Sequence, residues 1–343
     1  MTEHNVKSEL GNYPVFTGYD ILKAFPALFN ASEFGKILIV TGHGIPRIFC
    51  EKLCSVLTAD IYFYSFEDTE INKTVQTAQQ IIQFLLSNGF GRNDCIIAVG
   101  GGLVGDVSGF VASVYMRGIK WFNCPTTLLS QTDAAVGGKT AVNFDGVKNL
   151  IGSFYPPCGV LADTKTLETL PPRIFSEGMA EVIKTAVLFD SELFFLLTNG
   201  RANDNIDYIV DRCISHKIRV VENDEFETGE RKLLNFGHTA GHAIESAAAG
   251  KYYHGECVGF GMLCITDGKV RKIIKETLKL YHLPVLPDNA ADILDAAGKL
   301  LQSDKKSSGD KVQAVFMSEL FRPEIKLVEK QEIINGMKEY FNL

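Results

Sequence analysis

The sequence predicts an α/β protein in which an N-terminal, doubly wound, mostly parallel sheet precedes an all-helical C-terminal domain. In the first half, short apolar runs alternate with segments of helical spacing, and one run ends in three consecutive glycines. After about residue 170 the strand patterns give way to helical ones. Alternating strands and helices form parallel sheets with helices on both faces. Because 343 residues exceed one typical core, we expect two domains, residues 1–165 and 166–343.

The individual elements follow from the spacing of apolar residues. Residues 36–41, 61–64 and 95–99 are short apolar runs that predict buried strands, and residues 48–57 and 73–88 have the spacing of helices. In the second half the helical pattern recurs in residues 174–197, 204–223, 240–249, 257–277, 290–301 and 330–341. Pro171 and Pro172 predict a hinge between the two halves.

The composition favours a cytoplasmic enzyme. The N-terminus is polar, and no apolar run approaches the roughly 18 residues of a membrane span. Eight scattered cysteines without a C-x-x-C pair indicate reduced thiols. The net charge of −7 argues against a nucleic-acid partner, although it does not exclude a local basic pocket.

A cluster of histidines within an apolar stretch predicts a metal site. His238, His242 and Glu245 recur at i, i+4 and i+7, so they share one face of the predicted helix, and His254 follows soon after. Zinc takes imidazole and carboxylate ligands and needs three or four of them. His238 and His242 are the natural ligand pair in this pattern. The alternative is a set of core histidines with ordinary hydrogen-bond partners.

A glycine loop predicts a site for a nucleotide phosphate. Gly100, Gly102 and Gly105 match G-x-G-x-x-G between a predicted strand and a predicted helix. Glycines let backbone amides approach a pyrophosphate, and the N-terminus of a helix favours its charge. No Asp or Glu ends a strand about 20 residues later, as the Rossmann fingerprint requires. The site is therefore not a standard Rossmann arrangement, and a glycine-rich tight turn is the alternative.

Several basic residues of this acidic chain follow glycines or apolar runs, where a charge needs a partner. They indicate a small polyanionic substrate with phosphate and carboxylate groups. A solvated surface position is the alternative for any one of them. The residues are Arg117, Lys139, Lys148, Lys184, Lys217, Arg231, Lys305 and Lys306.

Taken together and in order, these motifs resemble the 3-dehydroquinate synthase family. The matching blocks cover about residues 36–312 and comprise residues 100–106, 115–119, 125–129, 133–139, 148–152, 181–184, 231–245 and 254–255. The resemblance implies a Rossmann-like NAD-binding domain, a helical metal-binding domain, an active site between them and a homodimer. It also implies conversion of 3-deoxy-D-arabino-heptulosonate 7-phosphate to 3-dehydroquinate and phosphate, by transient NAD oxidation, β-elimination, re-reduction and intramolecular aldol closure.

The resemblance implies two cofactors, NAD+ and a catalytic zinc for which cobalt can substitute. It assigns the metal to Glu181, His238 and His254, and it moves His242 from the metal to the substrate. The implied NAD contacts are Asp68, Glu70, Lys73, Gly101, Gly102, Leu103, Gly105, Asp106, Thr126, Thr127, Lys139, Lys148, Thr166, Leu167 and Thr169.

The resemblance also implies which residues bind and process the substrate. Lys217 and Arg231 match the family's carboxylate clamp, and Arg117 is expected to reach the phosphate site of the neighbouring subunit. The implied substrate contacts are Arg117, Lys139, Asn149, Lys217, Arg231, Asn235, His242 and one of Lys305 and Lys306. The implied catalytic residues are Asp133, Lys139, Lys184, Asn235 and His242.

One departure from the family and three rival functions remain open. The family usually ends its first strand with Thr-Asp-x-Asn, whereas this chain has Gly42 and Gly44 at the two polar places, which predicts weaker NAD binding. The rivals are a cyclase for a sugar phosphate without a carboxylate, a metal-dependent polyol or glycerol-phosphate dehydrogenase, and a non-catalytic binding protein. Lys217 and Arg231 argue against the first rival, because a neutral substrate would leave buried cations unpaired.

Overall fold

The computed structural model describes residues 1–303 and 309–342, which fold into two compact units. The first unit comprises Met1–Pro171 and Lys217–Glu225, and the second comprises Pro172–His216 and Phe226–Leu343. The first unit therefore ends between the two prolines of the predicted hinge rather than at residue 165. It also takes in a later segment that no local sequence pattern marks.

The first unit is built on a seven-stranded sheet in the order β1-β2-β9-β6-β5-β3-β4. β1 pairs antiparallel with β2, and the other neighbours run parallel. The strands are β1 (Thr2–Val6), β2 (Tyr13–Gly18), β3 (Lys36–Gly42), β4 (Asp60–Phe66), β5 (Cys95–Gly100), β6 (Lys120–Pro125) and β9 (Val160–Asp163). β7 (Lys139–Phe144) and β8 (Val147–Phe154) form a separate hairpin. The helices are α1 (Phe25–Phe29), α2 (Arg47–Cys54), α3 (Val75–Ser87) and α4 (Gly102–Val114).

Side chains of the central strands alternate between two apolar cores. Ile37 and Ile39 of β3 pack in the cluster that includes side chains of α1 and α2. Leu38 and Val40 pack in the cluster that includes side chains of α3 and α4. Because both faces of the sheet are covered, β5 is buried along its whole length and reads as a continuous apolar run. The predicted doubly wound sheet, with β3, β4, β5, α2 and α3, is thus confirmed.

The second unit is mainly helical, as predicted, but it is not all-helical. Its helices are α5 (Pro172–Phe189), α6 (Ser191–Thr198), α7 (Ile206–Asn223, which ends in the first unit), α8 (His238–Ala247), α9 (His254–Cys264), α10 (Gly268–Leu280), α11 (Ala290–Ser303) and α12 (Lys330–Phe341). The expectation of helices alone is wrong, because β10 (Lys311–Met317) and β11 (Pro323–Glu329) pair as a hairpin. Most of β11 is exposed, and Glu324 and Lys326 interrupt its apolar residues, so it lacks the apolar run that marks a buried strand.

Two predicted helices of the second unit are interrupted. The pattern over residues 174–197 is divided between α5 and α6, because Asp190 accepts a hydrogen bond from the Leu193 amide and starts a new helix. The pattern over residues 257–277 is divided between α9 and α10, where Gly268 has a φ of +51°. No helix in the described parts of the chain has the length and apolar character to cross a membrane.

Candidate active site

Close packing of two helices brings the histidines of the second unit together. α8 begins at His238, directly after Gly237, whose φ of +80° lies in the left-handed region. A β-carbon on Gly241 would lie 2.8 Å from the carbonyl oxygen of Cys257 in α9. Glycine at this position therefore lets α8 approach α9, whose first residue is His254.

A buried carboxylate faces two of the imidazoles. Glu181 of α5 is 1% exposed, and its Oε1 lies 3.6 Å from His238 Nε2 and 3.7 Å from His254 Nε2. Its Oε2 forms an ion pair with Lys184 Nζ at 2.5 Å. Neither oxygen accepts a hydrogen bond of good geometry from any residue that the structure describes. A buried charge without such partners is costly, and a cation between the carboxylate and the imidazoles would offset that cost.

Further contacts decide which nitrogen of each imidazole faces Glu181. His238 Nδ1 lies 3.2 Å from the carbonyl oxygen of Phe236, and His254 Nδ1 lies 3.2 Å from Oε2 of Glu245. Both oxygens only accept hydrogen bonds, so in the neutral rings Nδ1 carries the proton and Nε2 keeps its lone pair. Burial, reinforced by the charge of Lys184, holds the pKa of His238 well below its usual value, so this ring is neutral.

Carboxylates surround the second imidazole more closely. Burial alone would lower the pKa of His254, but the hydrogen bond to Glu245 and the charge of Glu181 together raise it. The same carboxylates that favour a proton on this ring also favour a metal cation beside it.

The structure also brings His242 to this place. Nitrogen atoms of His238, His242 and His254 lie within 4.8 Å of one another. Two three-ligand metal sites are therefore possible. Both contain His238 and His254, and the third ligand is either Glu181 or His242. His242 is exposed, whereas Glu181 is buried and accepts no hydrogen bond from a described residue, which favours Glu181 as the third ligand. The assignment stays a prediction.

The glycine loop of the first unit forms an open helix N-terminus. β5 ends at Gly100, Gly101 takes the N-cap position without a side-chain cap, and α4 begins at Gly102. The Thr126 amide donates to the carbonyl of Gly100 at 2.9 Å, and Thr126 Oγ1 is buried without a hydrogen bond to any described residue. Uncapped amides at a helix N-terminus bind anions, as the sequence predicts for this loop.

Lys73 connects two residues that the resemblance assigns to different ligands. Its Nζ donates to Oδ2 of Asp106 at 2.6 Å and to Oδ1 of Asn149 at 2.5 Å, and Lys73 is only 5% exposed. Burial raises the pKa of Asp106, and the charge of Lys73 opposes that rise. Lys73 and Asp106 are predicted NAD contacts and Asn149 is a predicted substrate contact, so the first unit places the two predicted groups side by side.

Asp133 and Lys217 form a second charged pair in the first unit. Asp133 lies in a π-helical turn, Ser130–Ala134, and its Oδ1 accepts a hydrogen bond from Lys217 Nζ at 2.5 Å. Gln131 anchors this turn, because its Nε2 donates to the carbonyls of Pro125 and Asp163, each at 3.0 Å. Such π-helical turns are frequent at functional sites. The contact with Asp133 gives the Lys217 ammonium a defined direction.

The remaining predicted residues are divided between the units. All the predicted NAD contacts lie in the first unit, whereas Lys184, Arg231, Asn235 and His242 lie in the second with the predicted metal ligands. Arg231 is 2% exposed, and Arg117 is an exposed residue of the first unit. Lys305 and Lys306 lie outside the described residues.

The contacts of two residues differ from what the sequence-based assignment predicts. Thr166 is buried and its hydroxyl donates to the carbonyl of Asp163 at 2.7 Å, so this predicted NAD contact already holds its own turn together. Glu245 received no role from the resemblance, yet it contacts His254. The spacing placed Glu245 on the histidine face of α8, but a partner on another helix cannot be identified from spacing.

Solved structures share this fold along the whole chain. A 2-deoxy-scyllo-inosose synthase complexed with carbaglucose-6-phosphate, NAD+ and Co2+ has a TM-score of 0.85 and 26% identity, over 98% of this chain and 99% of its own. A 2-epi-5-epi-valiolone synthase from Streptomyces hygroscopicus subsp. jinggangensis 5008, with NAD+ and Zn2+ bound, has a TM-score of 0.85 and 25% identity, over 98% of both chains. The chain is thus an enzyme of the sugar phosphate cyclase type.

Comparison with protein families shows to which family of sugar phosphate cyclases the chain belongs. Residues 63–177 match the 3-dehydroquinate synthase N-terminal family, and residues 178–307 match the 3-dehydroquinate synthase C-terminal family. A 3-dehydroquinate synthase of Clostridium tetani (strain Massachusetts / E88) is 36% identical, over 100% of this chain and 96% of that protein. One of Campylobacter concisus (strain 13826) is 40% identical, over 89% of this chain and 92% of that protein. The chain belongs to the 3-dehydroquinate synthase family.

Proposed function

We propose that the chain converts 3-deoxy-D-arabino-heptulosonate 7-phosphate to 3-dehydroquinate and phosphate, the second step of the shikimate pathway. Membership of the family supports this reaction. The structural observation that carries the proposal is Glu181, a buried carboxylate that faces the imidazoles of His238 and His254. Within the described residues Glu181 pairs with Lys184 but accepts no hydrogen bond, so a metal cation between its carboxylate and the two imidazoles would offset the remaining cost of burying this charge.

The residues present fit a divalent metal, zinc or cobalt, and NAD+. Glu181, His238 and His254 offer the carboxylate and imidazole donors that zinc prefers. The open N-terminus of α4 and the buried hydroxyl of Thr126 fit a dinucleotide pyrophosphate. When bound, NAD+ would supply a hydride acceptor, and the metal would act as a Lewis acid on one substrate oxygen.

Charged and amide side chains would hold the acidic groups of the substrate. Lys217, directed by Asp133, and the buried Arg231 are the proposed carboxylate contacts. Lys73 engages Oδ1 of Asn149, so Nδ2 of Asn149 is the atom that would donate to a phosphate oxygen. The other proposed phosphate contacts are Lys139, Asn235 and His242.

We also propose that the chain is a cytoplasmic homodimer. The β7–β8 hairpin exposes four apolar side chains that a second copy could cover, those of Phe144, Val147, Leu150 and Phe154. The exposure of Arg117 is compatible with its predicted reach to a partner subunit.

Release of inorganic phosphate tests the proposed reaction. We expect release from the heptulosonate phosphate to require NAD+, to stop when a chelator removes the metal, and to leave no accumulated NADH. Glucose 6-phosphate, which has no carboxylate, serves as the control for the rival cyclases. Stoichiometric NADH, or release from glucose 6-phosphate alone, would contradict the proposal.

A further inference from the structure

We infer that Glu245 is a positioning residue for the metal: its carboxylate orients the His254 imidazole and sets how strongly this histidine binds the ion. The inference deepens the proposed function and rests on it. Glu245 lies in α8 and His254 begins α9. Oε2 of Glu245 lies 3.2 Å from His254 Nδ1, and the Glu245 side chain is only 13% exposed, so little water competes for this contact.

The contact determines which side of the ring meets the metal site. With Nδ1 directed at Glu245, the opposite nitrogen, Nε2, lies 3.7 Å from Oε1 of Glu181. A ring without the Glu245 contact could rotate or present its protonated nitrogen instead. Glu245 therefore selects both the tautomer and the direction of the His254 ligand.

The two imidazoles of the site are held by acceptors of different charge. His238 Nδ1 faces the neutral carbonyl of Phe236, whereas His254 Nδ1 faces the carboxylate of Glu245, both at 3.2 Å. A carboxylate draws the Nδ1 proton more strongly than a carbonyl does, which makes the opposite nitrogen a stronger donor to a metal. We therefore expect His254 to bind the metal more strongly than it would if a neutral carbonyl accepted its Nδ1 proton.

The main chain around His254 is held independently of Glu245. Arg173 donates through Nε and Nη2 to the two carboxylate oxygens of Glu256, each at 2.7 Å. Glu256 Oε2 in turn accepts from the Tyr253 amide at 2.8 Å. Because these contacts fix the start of α9, removal of the Glu245 carboxylate should release the imidazole ring and leave the helix in place.

Zinc affinity, measured in competition with a chromophoric chelator, tests the inference. We expect Glu245→Ala to weaken zinc binding by roughly 10–100-fold, the usual effect of removing such a contact. Glu245→Gln should have a smaller effect, because its side-chain oxygen still accepts from Nδ1. Glu276→Gln is the matched control, since it removes the same charge from an exposed pair with Lys279 and should leave zinc affinity unchanged.

A spectroscopic measurement separates positioning from support of the fold. The d–d absorption bands of bound Co2+ should shift in Glu245→Ala, while thermal unfolding of the metal-free protein should match that of the wild type. If Glu245→Ala does not fold, the same measurements on Glu245→Gln decide.

Two results would overturn the inference. Zinc affinity within about twofold of the wild type in the folded variants would show that Glu245 does not act on the metal. Loss of metal as complete as in His254→Ala would make Glu245 a ligand instead. Either result leaves the proposed function standing as long as the wild-type enzyme releases phosphate in a metal-dependent reaction, whereas a wild-type protein that binds no zinc removes both.

Discussion

A β-carbon added to Gly42 would lie 2.2 Å from Cγ of Asp68, so the Asp68 carboxylate occupies the place of a side chain at position 42. Gly42 ends β3, and Asp68 follows β4, the parallel neighbour of β3. The Gly44 amide donates to Asp68 Oδ1 at 3.3 Å. An acidic group thus stands at the end of β3, next to the strand that leads into the glycine loop. This is the place where Rossmann-like sites hold the cofactor ribose.

We predict that Asp68→Ala weakens NAD+ binding by roughly 10- to 150-fold, because a hydrogen bond to a charged group is worth roughly 1.5–3 kcal/mol and 1.4 kcal/mol is tenfold. Gly42→Asp alone should also weaken binding, since the new side chain collides with Asp68. The double change Gly42→Asp with Asp68→Gly should recover affinity by returning the carboxylate to β3. Isothermal titration measures each affinity, with the exposed Glu67→Gln as control. Equal affinity in wild type and Asp68→Ala would exclude a cofactor contact.

The strands that could best be predicted from the sequence are those buried on both faces, because burial makes them continuous apolar runs. β3 and β5 are apolar because both of their faces are covered, and their length separates them from helices. β8 and β11 are mostly exposed and carry polar residues, so their strand character depends on pairing with β7 and β10. Pairing between strands is a tertiary property that local periodicity does not contain.

The site could be predicted only in part for a related reason. Helical spacing identified His238, His242 and Glu245, because all three lie on α8. Glu181 lies on α5, and only the family resemblance could add it to the set. The sequence indicated only a missing side chain at Gly42. The structure places the Asp68 carboxylate there, which depends on the register between β3 and β4 and cannot be identified from the sequence of one strand.

The identity of the third metal ligand is the next prediction. Glu181→Ala should lose nearly all bound zinc, because it removes the carboxylate that lies 3.6 and 3.7 Å from the two imidazole nitrogens. His242→Ala should keep its zinc, since this exposed histidine is assigned to the substrate. Elemental analysis after dialysis measures the metal content of both variants. The reverse pattern, with zinc lost only in His242→Ala, would assign the ion to the three histidines.

The carboxylate clamp provides a further prediction. Arg231→Ala should weaken binding of the heptulosonate phosphate by about 2–5 kcal/mol, the usual cost of removing one partner from a buried charge pair. An analogue without the carboxylate should bind the variant and the wild type alike. Lys232→Ala, which removes a charge from the neighbouring and less buried position, is the control. If Arg231→Ala weakened both ligands equally, the clamp assignment would fail and the rival cyclases would regain support.

Asp190 leads to a prediction about stability and pH within the second unit. It is 2% exposed, and its Oδ2 contacts Arg212 Nε at 2.7 Å and His216 Nε2 at 2.8 Å, while Oδ1 accepts from the Leu193 amide. Burial alone would raise the pKa of Asp190, but these hydrogen bonds outweigh burial and hold the pKa below its ordinary value of 3.8. A carboxyl whose pKa is lowered by folding stabilises the fold above its unfolded pKa, and the benefit disappears as the pH falls through the folded pKa.

Asp190→Asn should therefore lower the free energy of unfolding by roughly 1.5–3 kcal/mol at neutral pH, because the ionic contacts are lost while the amide can still cap α6. The difference from the wild type should shrink as the pH is lowered below about 4, where the wild-type carboxylate becomes protonated. Urea unfolding at a series of pH values measures this difference. Glu192→Gln, two residues away and exposed, should show no such trend. A difference that stayed constant across the series would mean that the shape of Asp190, rather than its charge, supports α6.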